Sequence, residues 1–202
     1  MILSEKTLSA KGYKCKSILF HAEGVPIIFL HGFSYTSMVW QRIGVTDLLI
    51  EKHVPFLALD MPYGSKSECQ PKTHDIQKNV AFANEATEST FGKEVPVIAG
   101  ASLGGHIALQ YAAQFPVRGL LLVAPSRALE ETLVKSFEKF SFPVRIIWGS
   151  EDNIISGEEM RILADKLPNG KLVTYEGGGH SVYVSQPSRF MRDLLELYAS
   201  AE

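Results

Sequence analysis

In the stretch Gly100-Ala101-Ser102-Leu103-Gly104, a serine stands between glycines at positions −2 and +2. The apolar run Val95–Ala99 precedes it and the helix-like segment Gly105–Ala113 follows. Strand, Gly-x-Ser-x-Gly and helix in that order form a nucleophile elbow, a turn so tight that a Cβ at either flanking position would collide with a neighbouring element. Such a turn holds its serine in a strained backbone conformation and exposes the hydroxyl at the positive end of a helix. A serine hydroxyl is a poor nucleophile at neutral pH, so a base must take its proton during attack. His180, after Gly177-Gly178-Gly179, is the candidate base and then the acid that protonates the leaving group. Asp152 is the candidate that would hold the imidazole in the useful tautomer and stabilise the imidazolium, with Glu151 its nearest rival. Each has a duller reading. Ser102 and Asp152 could be helix caps, and His180 a loop histidine.

Chemistry of this kind needs a scaffold that brings three distant residues to one place. Two opening segments, about residues 2–9 and 13–22, alternate as a hairpin with Lys11-Gly12 at its turn. Thereafter the apolar runs Val25–Leu30, Val54–Leu59, Val95–Ala99, Gly119–Ala124, Val144–Trp148 and Lys171–Tyr175 are short and nearly continuous, as strands covered on both faces are. Helical stretches lie between them at about 36–50, 75–91, 103–115, 127–140, 157–167 and 186–199. The alternation predicts βαβ units in a mostly parallel sheet with helices on both faces. In such sheets active residues gather beyond the carboxyl ends of strands. Ser102, Asp152 and His180 each follow a strand at that edge.

With Phe29-Leu30-His31-Gly32-Phe33, Leu59-Asp60-Met61-Pro62-Tyr63-Gly64-Ser65, the elbow, Trp148–Asp152 and Gly177–His180 in this order, the chain resembles the α/β-hydrolase superfamily over nearly its whole length. In size and in its short lid region it looks like the small capless members, such as the CCG1-interacting factor B type. The resemblance implies an α/β fold, a Ser-Asp-His chain order with Asp152 preferred to Glu151, and a structural role for Asp60. It also implies an oxyanion hole made by the backbone N–H groups of Phe33 and Leu103. His31 and His106 read as supporting residues. His21, His53 and His74 are scattered singly, so no metal is expected, and without a Lys-Ser/Thr phosphate loop no cofactor is expected either.

The remaining composition fits one ordinary domain over residues 1–202. A net charge of −2 argues against a nucleic-acid partner. No apolar run is long enough to cross a membrane, and Met1–Lys6 does not read as a signal peptide, so the cytoplasm is the expected location. Cys15 and Cys69 then read as two reduced thiols. Between Pro125 and Pro143 there is room for little more than one helix. Ala128–Phe140 fits it, with Leu129, Leu133, Phe137 and Phe140 on one side, as a packing helix or a mobile lid. An open site would suit short acyl groups, with Tyr35, Met38, Trp40 and Tyr183 as candidate substrate contacts, Met38 and Trp40 being equally readable as core. The expected activity is cleavage of small esters through an acyl-enzyme. Thioester hydrolysis and acyl transfer are alternatives on the same machinery, and a binding protein on a hydrolase scaffold is the alternative of another class. Oligomeric state is not legible in the chain.

Overall fold

The computed structural model describes residues 4–201. Eight strands form one sheet: β1 (Ser4–Ala10), β2 (Tyr13–Phe20), β3 (Ile27–Leu30), β4 (Phe56–Leu59), β5 (Val97–Ala101), β6 (Gly119–Val123), β7 (Val144–Gly149) and β8 (Gly170–Tyr175). Their spatial order is β1-β2-β4-β3-β5-β6-β7-β8. The β1–β2 and β2–β4 pairs are antiparallel and the rest are parallel. The predicted hairpin is present, although residues 2 and 3 of its first segment lie outside the described residues. Lys11 and Gly12 both have positive φ, 48° and 79°, the backbone of a two-residue turn that matches the twist of its strands.

The helices are α1 (Met38–Arg42), α2 (Val45–Glu51), α3 (Ile76–Phe91), α4 (Leu103–Ala112), α5 (Glu131–Val134), α6 (Gly157–Lys166), α7 (Val182–Ser185) and α8 (Pro187–Ala201). Successive strand residues feed two separate cores, which is why the runs are apolar throughout. Ile28, Leu30, Leu57, Leu59, Ile98, Leu120 and Ile146 pack with Val80, Ile107 and Met160 from α3, α4 and α6. Ile27, Phe29, Phe56, Val97, Leu121 and Ile147 pack with Trp40, Leu49 and Phe190 from α1, α2 and α8. From β3 the chain moves one way to β4 and then returns past β3 to β5. Strand order therefore reverses between β3 and β5, and the crevice beyond their carboxyl ends is where an open α/β sheet places its site.

Three expectations need correction. The stretch 36–50 is two helices, because Gly44, with φ of 81°, turns the chain between Arg42 and Val45. Ala128–Phe140 is not one helix but α5 followed by a 3₁₀ turn at Phe137–Lys139. The Ser136 hydroxyl donates to the Leu133 carbonyl at 2.6 Å, a local bond that competes with helix continuation. Leu133, Phe137 and Phe140 are nonetheless buried and Glu131, Lys135, Glu138 and Lys139 exposed, as the spacing predicts. Finally, Cys15 and Cys69 are bonded in a disulfide rather than reduced, joining β2 to the loop that follows β4. That pairing removes the reduced-thiol reading that accompanied the expected cytoplasmic location. No helix among the described residues is long and apolar enough to cross a membrane.

Candidate active site

Ser102 sits between β5 and α4 with φ 52° and ψ −115°, a conformation that costs a non-glycine residue of order 1–3 kcal/mol. The flanking glycines permit it by leaving room. A Cβ on Gly100 would land on the Gly104 carbonyl, and one on Gly104 would land on the Leu30 carbonyl at the end of β3. The turn is held by bonds to its own backbone: Ser102 N–H donates to Val123 O at 2.8 Å, and Ser102 O accepts from His106 and Ser126 N–H, each at 3.1 Å.

His180 Nε2 lies 2.9 Å from Ser102 Oγ and His180 Nδ1 lies 2.8 Å from Asp152 Oδ2. With Nδ1 protonated, the ring donates to the carboxylate and accepts from the serine hydroxyl. The other carboxylate oxygen, Oδ1, accepts from the N–H groups of Ile154 at 2.8 Å and Ile155 at 3.0 Å, and the Asp152 side chain is wholly buried. Asp152 is not the cap of α6; Ser156 is, accepting from Glu159 N–H at 3.1 Å. Glu151 is exposed, and only its backbone N–H engages the histidine loop, donating to Gly178 O at 2.8 Å. Gly149 and Gly178 let these loops touch, since a Cβ on Gly149 would strike the Gly178 carbonyl. Ser150 adds two bonds, its N–H donating to Tyr175 O at 3.0 Å and its Oγ accepting from Gly177 N–H at 2.9 Å. Tyr175, where β8 ends, is itself anchored to α8, donating to Asp193 Oδ2 at 2.5 Å; Arg145 pairs with the other oxygen of that carboxylate at 2.8 Å.

Beyond β3, Tyr35 N–H donates to Gly32 O at 3.0 Å, closing a turn with Phe33 and Ser34 at its corner. The turn's own hydrogen bond does not use the Phe33 N–H. Leu103 is the first residue of α4, so its N–H is one of the donors a helix start leaves free. Gly32 lies against the elbow, for a Cβ there would sit 3.7 Å from Ser102 Cβ. The Gly32–Tyr35 turn rests on the loop after β4: Ser65 N–H donates to Phe33 O at 2.9 Å, and Tyr63 donates its hydroxyl to His31 O. His31, wholly buried, donates from Nδ1 to Gly32 O at 2.8 Å and accepts from Met61 N–H at 2.9 Å. Burial holds its pKa below the usual histidine value. Asp60 Oδ1 accepts from Ser37 N–H at 2.6 Å and is buried. Tyr63 and Ser65 stand in the sequence only as members of the family-like stretch Leu59–Ser65, with no role of their own, because neither residue type in a turn-rich loop signals what it will hold.

The four candidate substrate contacts separate. Trp40 is completely buried against Phe29, Tyr183 and Phe190, so of its two readings the core one describes its place. Tyr183 is buried in the same aromatic group, and burial pushes its hydroxyl pKa up. Met38 is exposed beside a different cavity of about 450 Å³, lined also by Lys6, Lys16, Asp60 and Lys66. The Tyr35 ring lies against Gly32, its Cδ2 3.6 Å from where a Cβ on that glycine would be.

The alpha/beta hydrolase family model matches residues 27–145, and the chain belongs to that family. Among curated proteins it is 28% identical over 179 residues to ABHD14A of Danio rerio, a match covering 87% of this chain and 65% of that one. It is 26% identical over 207 residues to ABHD14B of Rattus norvegicus, provisionally named a protein-lysine deacylase, with 96% of this chain and 95% of that one covered. Among solved structures, a CIB-like hydrolase from Thermoplasma acidophilum superposes with a TM-score of 0.86 at 24% identity, covering 97% of each chain. The carboxylesterase CesB of Bacillus subtilis superposes at 0.81 with 13% identity, over 98% of this chain and 92% of that one. These two likenesses bear on fold alone.

Proposed function

We propose that the chain is a single-domain serine hydrolase that cleaves small, short-acyl carboxylic esters through an acyl-enzyme on Ser102. The observation that carries the reading is the imidazole of His180, within 3 Å of both Ser102 Oγ and Asp152 Oδ2 on a strained elbow. In the reaction, His180 Nε2 takes the hydroxyl proton as Oγ attacks the acyl carbon. The tetrahedral oxyanion is received by the N–H groups of Phe33 and Leu103, and Asp152 stabilises the imidazolium without taking its proton. His180 then protonates the departing alcohol, and water, activated by the same nitrogen, releases the acid. Phe33 and Ile154, both exposed apolar side chains, belong to the loops that carry the oxyanion turn and Asp152, and they fit a small apolar acyl group at an open rim.

The near-full-length likeness to the rat ABHD14B favours a second reading, in which the same atoms attack the amide of an acylated lysine. Intact mass after incubation with a fluorophosphonate tests the machinery common to both. One adduct on the native chain and none on Ser102→Ala is expected; an unlabelled, well-folded native chain overturns the reading and favours a binding protein. p-Nitrophenyl esters of increasing length then compete with an acylated-lysine peptide. Hydrolysis highest at acetate or butyrate supports the ester reading, and rates that rise beyond about ten carbons, or peptide turnover that exceeds both, overturn it.

A further inference from the structure

The side chain of Tyr35 does something its backbone does not require. Its N–H closes the turn that presents Phe33, yet its hydroxyl reaches a segment 146 residues away and donates to Ser181 Oγ at 3.1 Å. Ser181 is the residue directly after His180. The Tyr35 ring is meanwhile braced edge-on against Tyr183, 6.1 Å between centroids, and Tyr183 is locked between Trp40 and Phe190 at 5.1 and 5.8 Å. One residue thus belongs by backbone to the oxyanion turn and by side chain to the histidine segment.

That segment needs such a tie. On its upstream side His180 hangs from three glycines; Gly178 is packed against Val182, but at Gly177 and Gly179 a Cβ would meet nothing within 4 Å, so packing fixes the chain at only one of the three. Hydrogen bonds hold the upstream side, from Glu151 N–H to Gly178 O, from Gly177 N–H to Ser150 Oγ, from Gly178 N–H to Tyr175 O and from Gln186 Nε2 to Glu176 O, and none of these refers the loop to the oxyanion turn. Downstream, the Tyr35–Ser181 bond and the Tyr35–Tyr183 contact are what refer it to the oxyanion turn. We propose that Tyr35 is a positioning residue that sets the distance between the base and the oxyanion donors by clasping Ser181. The proposal rests on the triad reading above and goes beyond it, since nothing in a Ser-His-Asp arrangement requires this bond. Misplacement by a fraction of an ångström is costly in a reaction that depends on near-attack geometry, and one neutral hydrogen bond is worth severalfold.

Tyr35→Phe removes the bond and keeps the ring; Ser181→Ala removes it from the other side. With p-nitrophenyl butyrate, each is expected to lower kcat by about 3- to 10-fold with KM within twofold of native. The double variant is expected to be no worse than the poorer single one. A rise in KM at unchanged kcat would make Tyr35 a substrate contact, and losses that multiply in the double variant would show that the two residues act separately; either overturns the proposal. Should Tyr35→Phe fail to fold, Ser181→Ala still reads the kcat–KM split. The imidazole resonances of His180, followed by NMR, separate this proposal from the functional one. If the native chain neither labels nor turns over but both variants shift those resonances alike, the reading of the reaction fails and the clasp stands. Unmoved resonances remove the clasp.

Discussion

At the scale of single residues, the site is a chain of directed bonds, and the direction of one bond makes a sharp prediction. Asp152 spends one oxygen on the N–H groups of Ile154 and Ile155 and the other on His180. In Asp152→Asn the oxygen stays with the two amides and an NH₂ faces Nδ1, so the imidazole must present its other tautomer, with Nε2–H pointed at the serine. Fluorophosphonate labelling of Ser102 is expected to slow by about 10³- to 10⁴-fold while the thermal midpoint moves little. Labelling at the native rate would mean that Asp152 is not the orienting acid. The meeting of these three residues was legible because each carries two signals: a residue type suited to acyl transfer and a position just past a strand. The choice between Asp152 and Glu151 was not derivable from spacing, since it depends on which way a short loop turns its side chains. Tyr35 was legible as an aromatic just past His31-Gly32-Phe33, but its bond to Ser181 was not, because nothing local records a partner 146 residues distant.

At the scale of elements, the strands from β3 to β7 were legible for a simple reason: burial on both faces writes a continuous apolar run, and both faces of these strands are buried. What failed lies in short connections, where one residue decides. Gly44 breaks 36–50, and the Ser136 hydroxyl accompanies the break in 128–140. The disulfide is the missed element of most consequence for the site. Two cysteines 54 residues apart give no pairing signal from spacing, but in the fold they tie β2 to the loop carrying Tyr63 and Ser65, on which the Gly32–Tyr35 turn rests. Chain-entropy reasoning assigns a closed loop of that length about 4 kcal/mol. Replacing both cysteines with alanine is therefore expected to lower the urea midpoint substantially, and a reducing agent to do the same to the native chain but nothing to the variant. Equal midpoints with and without reductant in the native chain would show that the bond does not form or does not matter.

At the scale of the whole molecule, the site and the stability of the fold share a buried group. His31 is neutral because it is enclosed, and it uses that neutrality: Nδ1–H donates to Gly32 O while bare Nε2 accepts from Met61 N–H. Burial likewise lowers the pKa of His106, whose Nε2 lies 3.8 Å from Glu130 in the segment after β6. A histidine lowered in the folded state takes up protons first in the unfolded chain. Stability contributed by these two is therefore fully present above the ordinary histidine value, about 6.5, and is lost as pH falls from there toward their depressed folded values. While a histidine stays neutral in the fold and charged out of it, each further pH unit costs about 1.4 kcal/mol. Urea midpoints are expected to fall from pH 7 to pH 5, and a His106→Gln variant to show a shallower slope than the native chain. Protonated His31 would set an N–H against the Met61 N–H beneath the Gly32–Tyr35 turn, so that turn lies next to a bond that acid breaks. Midpoints flat between pH 7 and pH 5 would mean that neither ring is held neutral, and that the enclosure of His31 costs the fold nothing in acid.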